Sequence, residues 1–406
     1  MVRINDKDFD QDAIAEIYGS SGKLVETIRK RIEPIIGMDS LASIVFTKWF
    51  FRDRGTDNLT PNERISSFLQ SKALKDLIEE YALIACETLW GNGHLYYALL
   101  HYKDIVSKAE KTKKPSERQR LISSIISIEH IQAKMFEVQK GTNKDEYRPL
   151  ELSDLQSPIK NGSLCSSKSR IKSLRTTNNS QINEFMQVCE KVFDYGDYDQ
   201  YRDKLLNAMG INVCPYCNRQ YITPWGTETK PHSTADIDHF YSKDRFPFLA
   251  LSLFNFIPSC QICNSRFKLT KDFYVIPHVN PHVHGFSSDA RFTIDNVKAV
   301  FTNGVLPELS ILCSADDIEI QNSVNTFHLN DLYKSHRDYA EEIIKKTRMY
   351  SKTKIDEYYS LYKGLFSSKE ELYQIIYGNY LDENSQAKRP LSKLTQDLLF
   401  DLGVFR

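Results

Sequence analysis

Apolar residues recur at helical spacing through most of the first 150 positions. Leu24, Ile28 and Ile32 fall at i, i+4 and i+8, which stacks them on one face of a helix, and Pro34 bends or ends it. "SSFLQSKALKDLIEEYALIACETLW" reads as one further helix. "LISSIISIEHIQAKMF" reads as another, with Ile122, Ile125, Ile128 or Ile131 facing a core. The aromatic stretch "GNGHLYYALLHY" reads as core. The period changes near "ARFTID", which alternates as a short strand and pairs with "KAVFTNGV" across Asn303-Gly304. Helical spacing then returns. Asn330 suits an N-cap before "DLYKSHRDYAEEIIKKTRMY". Ser367 with Glu370 fits a capping box, and Gly378 fits the end of that helix. The pattern predicts an α+β chain, predominantly helical, without internal repeats.

At 406 residues the chain can bury two or three domain cores. With 41% hydrophobic and 26% charged residues, it is neither depleted enough for disorder nor apolar enough for a membrane protein. The longest apolar stretches, "SLASIVFTKWFF" and "FPFLALSLFNFIP", are too short to span a bilayer, and the crowded aromatics of the second read as core. The opening "MVRINDKDFDQD" lacks the apolar run of a secretory leader. A cytoplasmic protein with reduced or metal-bound cysteines is expected. The formal net charge is zero, which excludes a whole-molecule basic field and leaves nucleic-acid contact to local patches. One patch is "QSPIKNGSLCSSKSRIKSLRTTNNSQIN". It holds Lys160, Lys168, Arg170, Lys172 and Arg175 and no acid. It reads either as a solvated linker or as an arm that follows a phosphate backbone. "KAEKTKKPSER" reads as a solvated turn. The expected organisation is a helical N-terminal domain (1–155), a basic arm (156–183), a core (184–290) and short strands with a helical extension (291–406).

The core region concentrates chemistry. "CPYC" places Cys214 and Cys217 on one turn, and "CQIC" places Cys260 and Cys263 on another. Two such pairs some tens of residues apart form a four-thiolate zinc pattern. Four protein ligands close the coordination sphere, so this zinc is expected to be structural. Cys86, Cys165, Cys189 and Cys313 have no such partners. The zinc would clamp the segment before "ADIDHFYSK" to the segment after it. Within that stretch Asp238 is a hard oxygen ligand suited to Mg2+ or Mn2+, and Asn264, at the start of "NSRFK", can bring an amide oxygen to the same ion. His239 would be the general base. In a regular strand it points away from Asp238, so a shared phosphate requires the strand to bend or end there. Asn255 would hold the loop that carries His239, Lys268 would neutralise a phosphate, and Asp236 reads as a solvated strand residue or an outer acceptor. In "HVNPHVHGF", His278, His282 and His284 read as loop histidines, with a second metal site as the lesser alternative.

The order C-x-x-C, D-x-D-H, N, C-x-x-C-N-x-x-x-K resembles the HNH nucleases, the zinc-ribbon branch of the ββα-metal fold. The resemblance implies His239 as base, Asn255 as its brace and Asn264 with Asp238 as ligands of a catalytic Mg2+ or Mn2+. This chain carries Asn where other members carry His at the last motif position. "CPYCNRQYIT", "IDHFYSKDRFPFLALSLFNFIPSCQICNS" and "GNYLDENSQAKRPLSKLTQDLL" are similar to a bacterial group that includes nuclease subunits of Septu-type anti-phage defence. That similarity covers roughly the last 220 residues. It implies an endonuclease acting on DNA, with an ATPase partner subunit. Cleavage of RNA, and a non-catalytic zinc-ribbon module that binds nucleic acid or protein, are the alternatives.

Overall fold

Leu24, Val25, Ile28 and Ile32 are buried along one face of helix Lys23–Ile32, and Pro34 lies in the single 3-10 turn that follows. The structure is a computed structural model that describes residues 1–52, 58–90, 136–139, 146–149, 180–227, 230–274, 276–287, 290–295, 297, 300, 306–314 and 317–404. Among sequence expectations, "GNGHLYYALLHY", "KAEKTKKPSER", Cys165, nearly all of "LISSIISIEHIQAKMF" and of "KAVFTNGV", and the basic residues Lys160, Lys168, Arg170, Lys172 and Arg175 lie outside the described residues. Among those described, no helix is long and apolar enough to cross a membrane.

The fold is mixed α+β and divides into two units. One comprises Tyr18–Tyr195 and Lys243–Ser252. The other comprises Met1–Ile17, Gly196–Ser242 and Leu253–Arg406, so the first 17 residues fold with the cysteines and not with the helical half. Backbone bonds hold them there: Val2 N donates to Pro215 O and Ile4 N to Pro281 O.

The helical unit is built on aromatic packing. Trp49 lies 4.9 Å from Phe68 and 5.5 Å from Phe248, and Tyr81 stacks on Phe185 at 4.7 Å. Phe248 and Leu249 of "FPFLALSLFNF" are fully buried, so this stretch is core. The long helix expected over residues 66–90 is two helices, Pro61–Leu69 and Leu74–Trp90. The break follows from side chains that prefer other partners. Ser66 Oγ and Gln70 Nε2 both donate to Tyr18 O, and Ser71 Oγ accepts from Ala73 N. The N-terminal half is also not wholly helical, because β1 (Phe136–Gln139) pairs antiparallel with β2 (Glu146–Pro149).

The cysteine-bearing unit holds three further hairpins. Strands β3 (Pro224–Thr227) and β4 (Lys230–Ser233) form one, β5 (Asp236–His239) and β6 (Phe256–Ser259) the second, β7 (Ala290–Asp295) and β8 (Glu308–Cys313) the third. "ARFTID" is thus a strand, but its partner is "ELSILC" and not "KAVFTNGV". The register Phe292↔Ile311 and Ile294↔Leu309 puts apolar side chains together. Asn330 does not cap a helix. It sits inside Leu329–Tyr333, and its Oδ1 accepts from Ile311 N at 3.0 Å. The cap of Lys369–Tyr377 is Ser368 with Glu371, one residue later than the sequence spacing suggested. Gly378 ends that helix at φ 74°, where a Cβ is disfavoured. Leu372, Tyr377, Leu394, Leu398 and Leu399 join Phe292 and Leu309 in one apolar core under the β7–β8 hairpin.

His278 is buried between these layers. Its ring stacks on Phe273 at 3.7 Å, and Nε2 meets Thr326 Oγ1 at 2.8 Å. Burial pushes its pKa down to about 4. The folded value lies below the ordinary one near 6.5, so the unfolded chain binds the extra proton and stability is lost as pH falls from 6.5 toward 4. Between pH 7 and pH 5 this histidine should cost about 2 kcal/mol of unfolding free energy. Urea titrations at the two pH values should show that loss in the wild type and a smaller one in His278→Gln.

Candidate functional site

Cys214, Cys217, Cys260 and Cys263 are all buried, and their sulfurs lie within 4.8 Å of one another. Local structure delivers each pair. In the first turn Asn218 N donates to Cys214 O and Cys214 N to Gln220 O, with Asn218 in the left-handed region at φ 49°. Asparagine tolerates that conformation better than most residues. The second pair straddles the start of the π-helical segment Ile262–Lys268, where Asn264 N donates to Cys260 O. Cys217 and Cys260 sulfurs stand 4.0 Å apart, close to the ~3.8 Å edge of a tetrahedron with bonds of about 2.3 Å. Burial pushes the Cys214 thiol well above its ordinary value, whereas the neighbouring sulfurs, Cys214 first, pull Cys217 well below it. Four thiols so close can ionise together only around a cation, and this set can hold one structural metal ion. Among the described residues it is the one such cluster. The three loop histidines do not gather. His278 faces Thr326, His282 Nε2 meets Phe256 O, and His284 lies 3.7 Å from Glu319.

The cysteine turn is anchored from the far end of the chain. Asn218 Nδ2 donates to Gln386 O, its Oδ1 accepts from Lys393 N, and its carbonyl accepts from Leu391 N. Tyr333 OH donates to Cys217 O at 2.7 Å. Neither Asn218 nor Tyr216 stands out from sequence spacing. The signal lay in their position, inside or beside C-x-x-C.

Between the two cysteine pairs run β5, a connecting segment and β6, and the π-helical segment Ile262–Lys268 carries Cys263 and continues beyond it. Asp236 and Asp238 share one face of β5, as the period of two requires, and His239 is the last strand residue on the other face. His239 is half-buried, with its ring edge-on to Phe256 at 5.1 Å. Asn255 is fully buried. Its Oδ1 accepts from Tyr241 N at 2.8 Å, its Nδ2 donates to Tyr241 O at 3.0 Å, and its carbonyl accepts from Phe240 N. The side-chain amide therefore acts as one more rung of the β5–β6 ladder, just past His239.

The acids take different partners. Asp236 Oδ2 lies 3.4 Å from Asn264 Nδ2 and 3.5 Å from Ser265 Oγ. Asp238 is buried, and both its oxygens are engaged: Tyr216 OH donates to Oδ2 and Lys268 Nζ to Oδ1, each at 2.6 Å. Lys268 Nζ also donates to His239 O at 2.6 Å. The Asp238 and Lys268 side chains are 5% and 4% exposed. Lys268, expected to neutralise a phosphate, is thus inside the fold beside Asp238, where a carboxylate without a counter-charge would be costly. Burial pushes the Asp238 carboxyl above its ordinary range, and Lys268 and Tyr216 oppose that push. Tyr216 is raised well above its own range, chiefly by burial, and so remains a donor.

A hard divalent cation needs carboxylate and amide oxygens. Asp238 and Asn264 have the right chemistry, and the Lys268 ammonium already stands where a cation would meet Asp238 Oδ1. The donor set therefore fits a divalent ion only if Lys268 gives way and the Asn264 amide, which lies against Asp236, turns toward Asp238. Comparison with protein-family models, with curated proteins and with solved structures gives no match.

The buried pair should behave as a unit. Lys268→Met alone leaves an uncompensated carboxylate and should cost about 3–5 kcal/mol, whereas Asp238→Asn with Lys268→Met should cost clearly less than the two single changes summed. A thermodynamic cycle from denaturant melts would read this coupling, and additive losses would count against it.

Proposed function

We propose that this chain is a metal-dependent endonuclease of the HNH type that hydrolyses DNA phosphodiester bonds. The observation that carries the reading is the succession of β5 and β6 between two cysteine pairs, with the π-helical segment opening at the second pair. His239 sits at the strand end, and Asn255 clamps the backbone just beyond it. In this reading the four cysteines hold a structural Zn2+, since thiolate sulfur in a closed tetrahedral set favours that ion. Asp238 and Asn264 would hold Mg2+ or Mn2+. Bound there, the ion supplies Lewis acidity to the phosphate and charge to the leaving oxygen.

The chain's own residues do the rest. His239 takes a proton from the attacking water, the general-base task for which an imidazole is suited. Asn255 fixes the backbone after His239, so the ring keeps its direction during in-line attack. The basic arm with Lys168, Arg170, Lys172 and Arg175 would track the backbone phosphates. RNA is the alternative substrate, because nothing in these side chains reads a 2′-hydroxyl. The similarity to defence nucleases points to a cytoplasmic effector of anti-phage defence that works with an ATPase subunit, which would keep its cutting in check. A non-catalytic zinc module is favoured by one observation only, the satisfied Asp238–Lys268 pair.

Purified protein incubated with DNA and with RNA in Mg2+ or Mn2+, alone and with an ATPase partner, tests the proposal. Scission that His239→Ala reduces at least a hundredfold at unchanged melting temperature is expected, in line with the typical contribution of a general base. Undiminished cutting by that variant would remove His239 from the chemistry. Cys214→Ser should instead lower the melting temperature steeply, because structural metal binding supplies folding energy. Equal melting of the variant and the wild type would contradict a folding role for the metal.

A further inference from the structure

Lys268 is an unusual residue to find where it is. Its ammonium has three N–H groups. One meets Asp238 Oδ1, one meets His239 O, and the nitrogen lies 4.8 Å from the centroid of the Phe273 ring. Such a group has exchanged its water for protein partners. A buried ion pair seldom adds stability over an apolar pair of equal volume, and its best-attested use is as a register or switch. The placement of Lys268 suits a switch. It is the last residue of the π-helical segment Ile262–Lys268, a winding that recurs at functional sites. The next residue, Leu269, holds φ 53° and ψ −124°, a conformation that a side chain rarely adopts, and it is 61% exposed. A strained, exposed residue directly after the buried cation gives the segment end a reason to move. The lysine stem itself is long and flexible.

We propose that Lys268 is a resident counter-ion that bars Asp238 from a divalent cation until a phosphate of a bound nucleic-acid strand draws the ammonium away. The inference rests on the nuclease reading and adds its regulation. In the free protein, Lys268 neutralises Asp238 and ties down the carbonyl of His239. When a phosphodiester strand binds, its negative charge offers Lys268 an equivalent partner. The Asp238 carboxylate, still held at Oδ2 by Tyr216, then has Oδ1 free to take a divalent cation. Metal and nucleic acid therefore bind cooperatively, and by reciprocity each raises the affinity for the other by the same factor. The protein would carry no loaded cation, and so no cutting competence, without a strand in place.

The experiment uses the full chain with His239→Ala, so that DNA stays intact, and follows free Mn2+ by electron paramagnetic resonance with and without a saturating DNA duplex. The Mn2+ dissociation constant should fall at least tenfold when DNA is added. With Lys268→Met added, Mn2+ should bind as tightly without DNA as the parent does with it, and Mn2+ should raise the melting temperature of this variant but not of the parent. Asp238→Asn should bind no Mn2+ at this site. Lys268→Arg keeps the charge, so it should fold and keep the dependence on DNA even if the methionine variant does not fold. Mn2+ affinity indifferent to DNA in the parent, or Mn2+ binding unchanged by Lys268→Met, would overturn the inference. The two readings fail separately. Tight Mn2+ binding without DNA in a protein that cuts would leave the nuclease reading and sink the latch. Coupled binding in a wild-type protein that never cuts DNA or RNA would do the reverse.

Discussion

Everything near His239 depends on four sulfurs being drawn to one point. Cys214 and Cys217 lie on a turn before β5, and Cys260 and Cys263 open the helical segment after β6. Joining them fixes where the strand pair begins and where the helical segment starts, so the side chains of Asp236, Asp238, Asn264 and Lys268 are brought to one face. The β5–β6 hairpin has four residue pairs and would be marginal alone. The cysteine turn is in turn secured by Asn218 and Tyr333 to the last helices of the chain, which explains why a C-terminal extension belongs to the same unit as the cysteines.

Within that frame the chain gathers opposing demands. In the proposed nuclease, a carboxylate that takes up a cation must be buried enough to bind it and still be stable without it. Tyr216 and Lys268 meet the second demand, at 2.6 Å each. The cost is that Asp238 is committed before any metal arrives. Asn264 meanwhile lies beside Asp236, which gives the amide a partner in the same interval. The proposed nuclease would rest in a closed state, a sensible condition in a cell full of its own DNA.

Much of this was legible in the sequence, and the limits have physical reasons. The cysteine pairing could be read from spacing alone, because C-x-x-C constrains two sulfurs to one turn. Helix Lys23–Ile32 and the C-cap at Gly378 followed from periodicity and from the one residue that tolerates positive φ cheaply. The partner of "ARFTID" could not be read, because local turn chemistry at Asn303-Gly304 favoured one hairpin while apolar matching with "ELSILC" favoured another, and burial decided. Asn330 has the composition of a cap, but an unmet donor on a neighbouring strand, Ile311 N, took its oxygen. The burial of Lys268 against Asp238 was not legible for a similar reason. Spacing shows which residues share a helix face, but not whether that face meets water or a buried acid.

Because the site is only as good as the clamp beneath it, X-ray absorption at the zinc edge of the purified protein is the most direct check. Four sulfur scatterers at about 2.3 Å around a single Zn2+ per chain are expected. A protein free of zinc, or a zinc shell containing nitrogen or oxygen in place of one or more sulfurs, would contradict the clamp and with it the geometry assigned to His239 and Asp238.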